Sequence, residues 1–133
     1  MTERIATCSC DTMRVSCAGE PFRVSMCHCL ACQRRTGAPF GVQWWFERDQ
    51  LTITGSSTAY VRAVANGNQV TYQFCPRCGS TVYWELKDRP GAVAVALGMF
   101  ADPNLPPPRV SVWERRRHPW TAHVVECQME HIA

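Results

Sequence analysis

A chain of 133 residues, 46% hydrophobic and with a formal net charge of +3, is long enough for one domain, expected over residues 1–133, and too short for two good cores. No apolar run approaches the roughly 18–20 residues that a membrane-crossing helix needs, so no membrane role is expected. Met1-Thr2-Glu3-Arg4-Ile5 lacks the apolar stretch and cleavage site of a secretory leader, so a reducing, cytoplasmic setting is expected, where nine cysteines read as metal ligands rather than disulfides.

In chain order, the β-branched and aromatic segments Phe22–Met26, Phe40–Phe46, Leu51–Thr54, Ala59–Ala63, Val70–Phe74, Thr81–Leu86, Ala92–Leu97 and Val110–Trp113 read as strands. Turn chemistry separates most of them, as at Gly37-Ala38-Pro39, Thr54-Gly55-Ser56 and Asp88-Arg89-Pro90-Gly91. Asn66-Gly67 marks a hairpin between Ala59–Ala63 and Val70–Phe74. One short helix is permitted around Cys29–Thr36. Leu105-Pro106-Pro107-Pro108 can be neither helix nor central strand, so it should cross in extended form and deliver Arg109–Trp113 to a sheet edge. The expected fold class is mainly β, built from hairpins. Trp44, Trp45 and Phe46 are adjacent in one strand and cannot all face the same side, so one face should be core while the other could line a pocket.

The cysteines fall into groups. Cys75-Pro76-Arg77-Cys78-Gly79 has the form of a zinc knuckle, in which a tight turn presents two thiolates. A closed tetrahedral zinc site needs four ligands, and Cys8-Ser9-Cys10 is the natural source of the other pair. Cys27-His28-Cys29-Leu30-Ala31-Cys32 places three thiols within six residues, a three-point clamp on a second Zn²⁺. Its fourth position is either open, as in catalytic zinc sites, or closed by Cys17, His28, a distant histidine or a partner. Cys17 and Cys127 lack paired neighbours and read as buried small residues or free thiols. His28 is expected to point away from the metal held by its neighbours. His118, His123 and His131 are isolated and read as surface residues. Arg34 and Arg35 directly follow the clamp, where guanidinium groups could hold a carboxylate of a small acidic ligand.

Seven thiolates around two Zn²⁺ ions would remove three positive charges, leaving the chain near neutrality at about zero. Basicity is therefore a weak argument for nucleic acid. The patches Arg34-Arg35 and Arg115-Arg116-Arg117 do not make a long basic stripe with interleaved aromatics.

The order Cys-x-Cys, then Cys-His-Cys-x-x-Cys-x-Arg-x-x-Gly-Ala-x-Phe ending at Phe40, then Phe74-Cys75-Pro76-Arg77-Cys78-Gly79-Ser80, resembles the glutathione-dependent formaldehyde-activating enzyme family. Ala96–Asp102 and Pro119-Trp120 stand in the same order as in that family. The resemblance implies a β-tent zinc fold with Cys8, Cys10, Cys75 and Cys78 as structural ligands and Cys27, Cys29 and Cys32 as catalytic ones. It also implies a carbon–sulfur lyase of the S-(hydroxymethyl)glutathione synthase kind, with glutathione as cosubstrate and a small aldehyde such as formaldehyde as its partner. Arg34 or Arg35 would then bind a glutathione carboxylate, and Trp44 or Trp45 would shield the adduct from water. The alternative is a non-catalytic zinc-binding module for protein partners. Where the family usually carries Gly after the first Cys-x-Cys, this chain has Asp11, which tolerates the left-handed conformation that such a turn needs.

Overall fold

The computed structural model describes residues 2–133. Ten strands and one short α-helix make the fold mainly β. They are β1 (Glu3–Thr7), β2 (Arg14–Ala18), β3 (Arg23–Cys27), α1 (Leu30–Thr36), β4 (Gly41–Glu47), β5 (Leu51–Thr54), β6 (Thr58–Ala63), β7 (Gln69–Phe74), β8 (Thr81–Leu86), β9 (Ala92–Ala96) and β10 (Val110–Val112). Two sheets result, a three-stranded one in the order β1-β2-β5 and a seven-stranded one in the order β10-β3-β4-β9-β8-β7-β6.

The strands expected from Phe22 onward are present with small shifts at their ends, while β1 and β2 were not anticipated. These two pair antiparallel, Glu3 opposite Ala18 and Thr7 opposite Arg14, and only Ala6, Val15 and Cys17 turn fully inward. The hairpin between β6 and β7 turns at Asn66-Gly67, both residues with positive φ. β10 emerges from the proline-rich segment and joins the sheet edge beside β3, in parallel, as a crossing connection allows and a hairpin does not.

β4 explains why two cores exist. Its side chains alternate, so Trp44 and Phe46 enter a cluster with Ala6, Val15, Cys17 and Leu51 of the small sheet and Val82, Val93 and Val95 of the large one. Trp45 points to the opposite face, against Val70, Tyr72, Trp84, Ala94 and Ala96. Burying both faces suits a central strand that reads as nearly continuous apolar sequence. On this second face the cross-strand register stacks aromatic rings. Tyr60 of β6 lies opposite Tyr72 of β7, which lies opposite Trp84 of β8. Tyr60 and Tyr72 are stacked with centroids 6.3 Å apart, and Tyr72 and Trp84 are tilted at 5.9 Å.

Helix α1 begins with Cys29 as its N-cap and ends on Gly37 with φ 68, the left-handed conformation that glycine adopts at low cost. It runs between β3 and β4, close to the second face. Among the described residues no helix is long and apolar enough to cross a membrane.

Candidate metal centres and the adjoining cleft

Two loops build the first cluster. The β1–β2 connection is tied by Cys8 N–H to Met13 O at 3.1 Å and Asp11 N–H to Cys8 O at 3.0 Å, with Asp11 at φ 66. The expected left-handed turn at Asp11 is therefore formed without glycine. The β7–β8 connection closes through Gly79 N–H to Cys75 O at 2.8 Å and Cys75 N–H to Ser80 O at 2.9 Å, with Gly79 at φ 80. Ser9 and Ser80 join the two loops, their hydroxyls 3.0 Å apart.

The Sγ atoms of Cys8, Cys10, Cys75 and Cys78 all lie within 4.8 Å of one another. Cys8 and Cys10 are 3.7 Å apart, and Cys10 and Cys75 are 3.6 Å apart. A tetrahedron of Zn–S bonds of about 2.3 Å has edges of about 3.8 Å, whereas a disulfide would require about 2.05 Å. The sulfur-only donor set thus fits zinc in size and softness. Surrounding donors favour the thiolate form at the two knuckle cysteines. The Thr12 hydroxyl first, then the Cys78 amide, holds Cys75 down to about 7. The Ser80 hydroxyl and amide hold Cys78 down to about 5.

The second cluster is assembled from one strand end and one helix start. Cys27 closes β3 opposite Gly41 of β4, Cys29 caps α1, and Cys32 lies in the first turn, so three sulfurs converge from six residues. The Cys29 sulfur accepts the Cys32 N–H at 3.3 Å. The thiols of Cys27 and Cys32, followed by the first amides of the helix, pull Cys29 far below the usual thiol range. Cys32 moves the other way, pushed up by Cys27 and Cys29 beside it and by burial. Three close sulfurs cannot all ionise without a cation among them, and a metal ion would relieve that conflict. Among the described residues, no His, Asp or Glu donor joins these three sulfurs in a common group.

His28 is fully buried and turned toward β10, its Nε2 3.1 Å from Ser111 Oγ and its backbone N–H bonded to Val112 O at 3.1 Å. It contributes to neither sulfur cluster, as expected. Cys17 is also outside both, pointing from β2 into the core, where burial pushes its thiol up to about 12. Cys127 is half-buried near the carboxyl end, its sulfur 3.6 Å from the His123 carbonyl.

Two expectations need correction. His118 is not an isolated surface residue: its Nε2 lies 3.0 Å from Gln33 Oε1, and its ring packs edge-on against Trp120. Gln33 Nε2 also donates to the carbonyls of His28 at 2.9 Å and Arg116 at 3.0 Å, so this one side chain fastens the carboxyl-terminal segment to the clamp. Trp44 and Trp45 do not line the space beside α1, because both are committed to the two cores.

That space is a cleft of about 670 Å³ between α1 and the outer strands of the large sheet. Leu30 and Ala31 of the clamp segment line it on one side and Tyr60 and Tyr72 on the other. Arg34 and Arg35, expected as ligand contacts, both reach it. Arg62 of β6 joins them across the cleft, a contribution that sequence reading missed. In contrast, the Arg115-Arg116-Arg117 run is engaged locally, through Arg117 with Glu114 at 3.6 Å and Arg115 over the Trp113 ring at 4.9 Å.

Comparison with known proteins agrees with this picture. Residues 3–116 match the glutathione-dependent formaldehyde-activating enzyme family. The fold is similar to that of a crystallised protein of Rhodobacter sphaeroides, with a TM-score of 0.57 and 18% identity, covering 77% of this chain and 91% of the other. At that identity the likeness concerns the fold alone. No curated protein matches the chain.

Proposed function

Since the chain belongs to the glutathione-dependent formaldehyde-activating enzyme family, we propose that it is a zinc-dependent carbon–sulfur lyase that reversibly joins a glutathione-type thiol to formaldehyde or a similar small aldehyde. Cys8, Cys10, Cys75 and Cys78 hold a structural ion that ties the small sheet to the large one. Structural zinc is worth roughly 10–16 kcal/mol apparent in small peptides, comparable to the whole stability of a domain. Cys27, Cys29 and Cys32 are the catalytic ligands. Zinc bound there would supply an open coordination position that helps a substrate thiol lose its proton near neutral pH.

The three cysteine thiolates carry three negative charges, so this donor set favours deprotonating and orienting a thiol over strong polarisation of a carbonyl. Leu30 and Ala31, which lie between Cys29 and Cys32 in the chain, line the cleft, and a substrate held there by Arg34 and Arg35 would have its sulfur directed toward the cluster. Tyr60 and Tyr72 line the facing side of the cleft. The observation that carries the reading is the contrast between a four-sulfur group and a three-sulfur group with no further His, Asp or Glu donor among the described residues. Exchange NMR of hydroxymethyl-adduct formation from glutathione and formaldehyde tests it. Protein should accelerate exchange, and a rate equal to that of buffer overturns the proposal.

A further inference from the structure

The two sulfur clusters differ in what surrounds their thiols. In the four-sulfur cluster the sulfurs that solvent reaches are those of Cys10, half-buried, and Cys78, exposed, whereas Cys8 and Cys75 are buried. A side-chain hydroxyl stands at each of the reachable two. Thr12 Oγ1 lies 3.1 Å from Cys10 Sγ, and it is also 3.4 Å from Cys75 Sγ and 3.9 Å from Cys8 Sγ, against the face that these three sulfurs make. Ser80 Oγ lies 3.4 Å from Cys78 Sγ. At the three-sulfur clamp the donors are backbone amides, with Cys32 N–H 3.3 Å from Cys29 Sγ, and among the described residues no hydroxyl bonds to its sulfurs.

The direction of these hydrogen bonds follows from the donor set. Sulfurs ionised around a metal only accept, so the hydroxyls must donate. At Ser80 the neighbours enforce this, because its oxygen accepts the Ser9 N–H at 3.3 Å and faces the Ser9 hydroxyl at 3.0 Å, leaving its own proton for Cys78. Thr12 has a single proton, and Cys10 is the nearest sulfur to receive it. The turn itself does not need that hydroxyl, since backbone bonds from Cys8 N–H to Met13 O and from Asp11 N–H to Cys8 O already close it. Four thiolates around a divalent ion leave two negative charges uncompensated, so the bound sulfurs retain nucleophilic character. A hydrogen bond to a thiolate occupies a lone pair and has to weaken before that pair can attack carbon.

We propose that the Thr12 and Ser80 hydroxyls protect the four-sulfur centre from carbon electrophiles, Thr12 guarding Cys10 and Ser80 guarding Cys78. The reaction they oppose is addition of a sulfur to an aldehyde: a carbon–sulfur bond forms, the carbonyl π pair moves to oxygen, and oxygen takes a proton from water. The modified sulfur is no longer a thiolate, so the centre loses a ligand and the two sheets lose part of their tie. A protein that handles a reactive aldehyde at one thiolate centre needs its other thiolates inert, and a hydroxyl at each solvent-facing sulfur meets that need without touching the clamp. The choice of an aldehyde as the natural electrophile rests on the thiol–aldehyde reading above; the cap does not, because it acts against any carbon electrophile.

The test treats zinc-loaded protein with iodoacetamide, whose carbon is attacked by sulfur with loss of iodide. Modified cysteines are mapped by peptide mass spectrometry at low conversion, and released zinc is followed with a chromogenic chelator. Thr12→Val, which keeps the shape of the side chain, should speed the initial modification of Cys10 about tenfold, the rate equivalent of one charge-assisted hydrogen bond, and leave Cys78 like the parent. Ser80→Ala should do the converse, and Thr12→Ser should keep the parent rate. With formaldehyde in place of iodoacetamide, zinc release should quicken in both Thr12→Val and Ser80→Ala. Circular dichroism would establish that the variants are folded. Parent-like alkylation of Cys10 and Cys78 in these two variants, or parent-like zinc release in formaldehyde, overturns the proposal. So does acceleration at all four sulfurs together, which marks a loosened site rather than a lost hydroxyl. Selective acceleration in a protein that does not speed adduct exchange would sustain the cap and remove the catalytic reading. Accelerated exchange with parent-like alkylation in both variants would do the reverse.

Discussion

Replacing Cys75 with serine should unfold or severely destabilise the protein, whereas the same change at Cys32 should leave it folded and inactive. The difference follows from how much chain each centre closes. Cys75 and Cys10 are separated by 65 positions, with sulfurs 3.6 Å apart. Treated as a cross-link, that loop is worth about 4 kcal/mol in chain entropy, against about 2 kcal/mol for the few residues between Cys27 and Cys32. Both serines place a hydroxyl in a buried site, a shared cost of about 1–3 kcal/mol that does not separate them. Cys75 adds a further loss, because it is fully buried in the main core and its loop anchors the small sheet. For a domain of this size each kcal/mol shifts Tm by about 3–5 °C. Cys75→Ser should therefore melt at least about 6 °C below Cys32→Ser, with both proteins zinc-loaded and followed by circular dichroism. Equal losses would mean that both centres are structural, as a non-catalytic partner-binding module requires, and would refute the division argued here.

Gly41→Ala should fold normally, since the added methyl meets the flexible end of Arg35 rather than backbone. It should raise KM for glutathione severalfold with little change in kcat, and an unchanged KM would show that the seat of Arg35 is irrelevant. Gln33→Ala removes one hydrogen bond to the His28 carbonyl and two contacts between α1 and the carboxyl-terminal segment, worth about 1–2 kcal/mol together. Amide exchange over residues 114–121 should quicken, and unaltered protection would count against Gln33 as the fastening. Cys17 keeps its proton to about 12 when folded, against an ordinary 9.0. Between those values the unfolded chain binds fewer protons, so stability falls as pH rises. Cys17→Ala should flatten that alkaline decline in urea titrations, and an identical slope would contradict the assignment.

Much of the cysteine clustering was legible because it is local. Cys-Pro-Arg-Cys-Gly writes its turn directly, and three cysteines within six residues are close enough in the chain to converge on a common centre. The large sheet was similarly readable from β-branched and aromatic runs, and the proline run announced an edge strand at Val110 without revealing its parallel partner. β1 and β2 escaped because their inward residues are Ala6, Val15 and Cys17, small side chains that give little alternation contrast. Arg62 escaped for a different reason. On an outer strand an arginine reads as a solvated residue, and only the register that sets Tyr60 against Tyr72 and Trp84 brings it across from α1. The Gln33–His118 contact spans 85 positions and leaves no local signature at either end.

Anomalous diffraction at the zinc edge from crystals grown with glutathione bears most directly on the uneven partition of seven sulfurs. Two zinc peaks are predicted, one surrounded by Cys8, Cys10, Cys75 and Cys78, the other by Cys27, Cys29, Cys32 and a sulfur from the added thiol. A single peak, or a second peak whose fourth ligand is a side chain of this protein, would contradict the account.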